Sequence, residues 1–247
     1  MSRRVGIALV AVVGCALVAI FGTTSYAGTI IKLNLGSVSP DIKYDGSFLS
    51  TADDLIVGTT GNQNTAVEYT DFLDPMVADI PTAVASFTLS GLAPSGSAFV
   101  FLGQNVVQNF TGGTMTLYAA DNSVLLSGNL FNSALSGPIG FPTGGLFTTS
   151  FGNVTGGSLQ SKIESTSLVL SMNFTQVQTT GGPVGFSVSP PPASPAPQIH
   201  MGALNPFTAD ASINIAGDPK VPEPTSVVLL ISGSMAMLAA RRVRVAA

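Results

Sequence analysis

Residues 167–175 read Ser-Leu-Val-Leu-Ser-Met-Asn-Phe-Thr, and their period of two constrains the fold of this chain more than any other feature. Leu168, Leu170, Met172 and Phe174 fall on one side, and Ser167, Ser171, Asn173 and Thr175 on the other; only Val169 breaks the polar face. A segment with that period is a strand with one face buried. The same alternation recurs at 85–92 through Phe87 and Leu89, and at 184–188 through Val184, Phe186 and Val188. Residues 30–35, 55–58 and 66–69 read as further strands, and Ile213 and Ile215 as a last short one. Residues 98–102 are apolar on both faces, which predicts a central strand. Segments 113–119 and 124–130 form a predicted hairpin, with Met115 and Leu117 inward and 120–123 as the turn. Asp121 and Asn122 suit that turn because both tolerate left-handed backbone. No segment of the body has a 3.6-residue apolar period, and runs rich in Gly, Ser, Thr, Asn and Pro separate the strands. The expected fold is all-β, a sandwich or jelly roll.

The two ends differ from the body in composition. Residues 1–27 have the layout of a secretory signal peptide: Arg3 and Arg4, an apolar stretch over 5–21, then Ser25-Tyr26-Ala27. Cleavage is expected after Ala27. The alternative is a lipoprotein box at Val12-Val13-Gly14-Cys15, against which the chain stays apolar after the cysteine. Cys15 is the one cysteine, so an exported body holds no disulfide and no thiolate. Between residues 28 and 220 there are four lysines and twelve acids, 4 − 12 = −8. Such a surface repels nucleic acid, and a nucleic-acid partner is not expected. Residues 189–197 hold five prolines, an extended loop or spacer.

Residues 221–247 begin Val221-Pro222-Glu223-Pro224, continue as an uncharged apolar run over 225–240, and turn basic at Arg241, Arg242 and Arg244. As a helix the run spans about 24 Å, less than the ~30 Å hydrocarbon core, so seating it needs snorkelling arginines or local thinning. The arginines favour a cytoplasmic C-terminus. This order of proline pair, short membrane helix and basic stop resembles the PEP-CTERM sorting signal of Gram-negative and related bacteria. Ser232-Gly233-Ser234 departs from it, where the family usually has Leu, Gly and Ala. The resemblance covers about a tenth of the chain and leaves the body unassigned. It implies export, recognition of the tail by a membrane-embedded exosortase, cleavage near Pro222-Glu223-Pro224, and a role in exopolysaccharide or biofilm at the cell envelope or in the matrix. A tail that simply remains as an anchor is the plainer alternative.

Catalytic signatures are sparse. His200 is the single histidine, and no Gly-x-Ser-x-Gly elbow accompanies it. No lysine of the body follows a glycine, which excludes a phosphate-binding Gly-Lys-Ser/Thr loop, and zinc lacks ligands. Eight of the thirteen acids crowd into 41–79. Asp53, Asp54, Asp71, Asp74 and Asp79 are candidate oxygen ligands for calcium, or a glycosidase acid and base, although none has a diagnostic spacing. Asp41, Asp45 and Gly46 match three places of an EF-hand loop, but Lys43 and Ala52 occupy ligand positions. Three Asn-x-Thr sequons begin at Asn109, Asn153 and Asn173. The expectation is a non-enzymatic protein without a cofactor; the alternative is a calcium-dependent carbohydrate-binding protein or a glycosidase built on the acidic stretch.

Overall fold

The computed structural model describes residues 28–36, 40–53, 64–78, 84–164, 168–192 and 199–218. The expected signal peptide, the strand at 55–58, part of the proline run and the whole of 221–247 lie outside the described residues. In chain order the strands are β1 (Gly28–Leu35), β2 (Ile42–Tyr44), β3 (Leu49–Thr51), β4 (Thr65–Phe72), β5 (Val84–Ser90), β6 (Ala93–Pro94), β7 (Ala98–Phe101) and β8 (Asn105–Thr111). They continue as β9 (Thr114–Ala119), β10 (Val124–Pro138), β11 (Gly145–Gly156), β12 (Val169–Thr179), β13 (Val188–Ser189), β14 (Ile199–Leu204) and β15 (Phe207–Gly217). One helical turn, α1 (Pro75–Ala78), follows β4. The body is all-β, as its period requires. No helix among the described residues is long and apolar enough to cross a membrane.

The strands close into one barrel rather than splitting into the two sheets of a sandwich. Around the wall the order is β15, β1, β4, β5, β9, β10, β11 and β12, which returns to β15, and every pair in the circuit is antiparallel. Closure depends on β10 and β15, which are long enough to serve two neighbours along one edge. β15 pairs β2 over 207–209 and β1 over 212–217. β10 pairs β9 over 124–129 and β8 over 133–138. The short strands are therefore collinear halves of longer wall strands: β1 with β2, β3 with β4, β5 with β6, β8 with β9. Each wall strand is next in space to its neighbours in sequence, an up-and-down barrel with no open edge in its main circuit.

Eight strands leave an interior that side chains can fill. β15 shows the alternation most cleanly, with Phe207, Ala209, Ala211, Ile213 and Ile215 buried between less buried neighbours. Leu168, Leu170, Met172 and Phe174 are all buried, as their spacing predicts. One end of the interior is aromatic: Phe207 lies 4.9 Å from Phe186, 5.8 Å from Tyr44 and 6.2 Å from Phe174, centroid to centroid. Toward the other end Phe151 is buried over Gly128, where a Cβ would lie 2.6 Å from its ring. Polar side chains such as Asn153, Thr155 and Asn173 face outward, the reverse of the alternation in a transmembrane barrel.

Where a wall strand is interrupted, its partner's ladder is completed by other groups. Residues 210 and 211 of β15 fall between the reaches of β1 and β2. There buried Asp41 accepts a hydrogen bond from Ala211 N–H at 2.8 Å, and its own N–H donates to Ala209 O at 3.1 Å. Asp41 thus serves the wall, which removes it from the EF-hand match.

The segment after β12 folds over the aromatic end. Phe186 enters it against Gly137 and Gly145; a Cβ on Gly137 would lie 2.5 Å from the Phe186 ring. β14 then pairs β7, so the chain returns to the barrel after the proline run. Two expectations are corrected here. Val184 is exposed and only Phe186 and Val188 face inward, because 180–187 is a cap and not a continuous strand. β7 is not a central strand with two buried faces: Ala98 and Val100 are buried, but Phe99 and Phe101 point outward.

Candidate functional site

A concavity among the described residues lies on the outer wall at the junction where β10 exchanges β9 for β8. Three features create it. β8 passes into β9 through Gly112 and Gly113, both at positive φ, and a Cβ on Gly113 would meet Leu92 at 2.6 Å. Opposite them, β10 carries a bulge in which Asn132 is left-handed at φ 52°. The bulge also changes the inward parity of β10, from Leu126, Gly128 and Leu130 to Ser133, Leu135 and Gly137. The third feature is the loop between β6 and β7, held to β8 by buried Gln108, whose amide donates to Gly96 O at 3.2 Å and Asn109 O at 2.7 Å.

The resulting groove has a volume of about 490 Å³ and is lined by Ser95, Asn109, Phe110, Thr111, Phe131, Asn132, Ser133 and Ala134. That size suits a small-molecule or oligomer subsite. Its floor is fixed: the Thr149 hydroxyl donates to Phe131 O at 3.2 Å and lies 2.7 Å from the Ser133 hydroxyl. Its walls are open for binding. The side chains of Ser95, Asn109, Thr111 and Asn132 make no hydrogen bond to other described residues, and the Phe131 ring is 43% exposed. None of the lining residues is ionisable. The groove therefore offers amides, hydroxyls and one aromatic face, with no acid, base or nucleophile activated by a neighbour.

Below the groove the outer face of β10 and β11 continues in the same chemistry. Asn129 donates to Asn153 at 3.0 Å, and the hydroxyls of Ser127 and Thr155 are 2.9 Å apart. Further round the wall, Ser90 and Thr114 are 3.1 Å apart.

The acidic residues expected to form a site are dispersed. Asp71 on β4 stands opposite Lys32 on β1. The carbonyl of Asp74 starts α1, accepting from Val77 at 3.0 Å and Ala78 at 2.9 Å. Asp45 closes the β2–β3 turn by accepting from Ser47 N–H at 2.7 Å and Phe48 N–H at 2.8 Å, bonds that hold its carboxyl below the usual range, Phe48's foremost. Asp53 lies just beyond β3. Asp54, Asp79, Ala27 and the sorting residues Val221, Pro222, Glu223, Pro224, Arg241 and Arg242 lie outside the described residues. Among the described residues no three His, Cys, Asp or Glu side chains come together as a metal-holding group. His200 is on β14, with Nε2 2.8 Å from Pro190 O, and no acid or serine acts as its partner among the described hydrogen bonds.

Sequence reasoning missed the groove. Its one trace is the broken alternation at Phe131-Asn132-Ser133, where a strand changes parity without a turn. Comparison with known protein families, characterised proteins and solved structures finds no match.

Proposed function

We propose that this chain is an exported, non-enzymatic protein of the cell envelope or extracellular matrix, whose barrel contacts neutral polysaccharide through the groove at the β8–β10 junction. The observation that carries the binding role is the composition of the groove: free amides and hydroxyls around an exposed phenylalanine, with no charge. Sugar hydroxyls need donors and acceptors of that kind, and the apolar face of a pyranose can stack on a ring such as Phe131. Export rests on the sequence of the two ends, with 1–27 as signal peptide and 221–247 as a PEP-CTERM-type signal handed to an exosortase. The barrel suits that arrangement, because Gly28 pairs with Gly217, so the first and last strands of the body end side by side. A body tethered through either end presents the same orientation.

Isothermal titration of the mature protein with the host's exopolysaccharide tests the binding role. Binding is expected with and without calcium, and Asn132→Ala with Phe131→Ala should weaken it at least tenfold. Binding that requires calcium, or that survives both substitutions, favours the acidic stretch instead. Release of reducing ends would mark a glycosidase and overturn the non-enzymatic reading.

A further inference from the structure

One pole of the barrel is apolar. β7 and β14 form a ribbon in which Phe101 stands opposite Ile199 and Phe99 opposite Met201. All four point away from the barrel and are exposed. The surface continues over the rim. Leu102, at φ 52° in the tip between β7 and β8, is 64% exposed. Gln104 O accepts from Ile139 N–H at 2.7 Å, which joins that tip to the β10–β11 loop carrying exposed Phe141. Gly185 approaches so closely that a Cβ there would lie 2.3 Å from Phe141 N, and this brings exposed Val184 alongside.

Two physical features identify what covers this surface. The first is area. Seven large side chains, each 36–64% exposed, present on the order of 700 Å², given about 200 Å² for a large side chain. That exceeds the ~300–600 Å² of the largest patch on a typical monomer and approaches the ~800 Å² that each partner buries in a stable interface. The second is charge. Every residue of the surface comes from segments 80–120, 122–161 or 165–209, none of which contains Asp, Glu, Lys or Arg. The acids of a body of charge −8 lie outside these segments, so contact through the named side chains opposes no like charges between them. A lipid surface fits less well, since no lysine or arginine stands in the surface to reach phosphates. A leucine held in left-handed backbone and in solvent also gains from burial.

We infer that the β7–β14 face and the adjoining rim form an isologous interface with a second copy of this chain. The inference does not depend on the polysaccharide reading.

Site-specific disulfide trapping tests this on the full chain, with Cys15 replaced by serine. Cysteines are introduced singly at Phe99, Phe101, Leu102 and Met201, with Asn153 on the outer wall as the control. Under a copper–phenanthroline oxidant, at least one variant of the pole should run as a dimer on a non-reducing gel while N153C stays monomeric. Adding Ile199→Asp to the variant that cross-links should reduce the dimer at least tenfold, with an unchanged circular dichroism spectrum showing that the barrel is intact. Absence of dimer at all four positions, equal cross-linking at N153C, or dimer undiminished by Ile199→Asp would each overturn the interface. Capture of the protein by uncharged phosphatidylcholine vesicles, lost in Ile199→Asp, would assign the pole to lipid and overturn it as well.

Discussion

At Gly137 the whole cap depends on a missing methyl. The Phe186 ring fills the space above it, and Ala would place a carbon 2.5 Å from that ring. Gly137→Ala should cost about 1–3 kcal/mol by overpacking, and Gly137→Ala with Phe186→Leu should recover part of the loss in a thermal melt. Asp41 is a second residue of this kind. Asp41→Ala leaves Ala211 N–H buried without its acceptor, a loss of about 1–3 kcal/mol measurable by urea denaturation. Asp45 titrates instead. Its carboxylate is favoured in the folded state, so its contribution is present above the ordinary carboxylate pKa of about 3.9 and disappears as pH falls through the lower folded value. The group is exposed, so the effect should stay within about 1 kcal/mol. Asp45→Asn should therefore narrow the difference between melts at pH 5 and pH 3. The sequons also resolve at this scale. In Asn109-Phe110-Thr111, Asn153-Val154-Thr155 and Asn173-Phe174-Thr175 the middle residue is buried and the outer two are exposed. A strand with one face in the core produces Asn-apolar-Thr by its own period, without any modification being required.

Among the elements, stretches of steady alternation were legible in the sequence and the residues beyond a left-handed bulge were not. β12 and the β9–β10 hairpin follow their patterns, down to the turn in which Asp121 accepts from Ser123 N–H at 2.9 Å. β11 has no counterpart among the expected strands, since Gly145, Gly152 and Gly156 interrupt its sequence, yet Leu146, Thr148 and Ser150 alternate outward from Phe147, Thr149 and Phe151. β10 runs on to Pro138 through the bulge at Asn132, and β12 carries a similar left-handed residue at Gln176, beyond which inward parity passes to Val177 and Thr179. Simple period counting stops at such a residue. Leu170→Asp would place an unpaired carboxylate in the centre of β12 and should destabilise the barrel by about 4 kcal/mol or more, enough to lose the folded circular dichroism signal. Asn132→Val tests the bulge. A β-branched residue at φ 52° should cost about 1–3 kcal/mol, and polysaccharide binding should fall with it.

For the whole molecule, the class was legible and the closure was not. Short strands separated by turns suit a sandwich and a barrel equally, and the choice lies in long-range registers such as Gly28 with Gly217 and Leu170 with Ile215. Those pairings join residues far apart in sequence and leave no local trace. The groove was equally hidden, since it joins the β6–β7 loop, β8 and the bulge of β10. The acidic stretch looked like a site because its carboxylates are close in sequence, and the fold spreads them over the β2–β3 turn, the outer face of β4 and the start of α1. The first and last strands of the body end side by side, Gly28 against Gly217. The most direct test of an exported and sorted barrel is the intact mass of the protein recovered from the envelope and the medium of its host. The expected mass is that of a chain beginning at Gly28 and lacking Arg241 and Arg242, whether or not a group has been attached near Pro224. A chain that still carries residues 1–27 and ends at Ala247 would contradict both export and sorting.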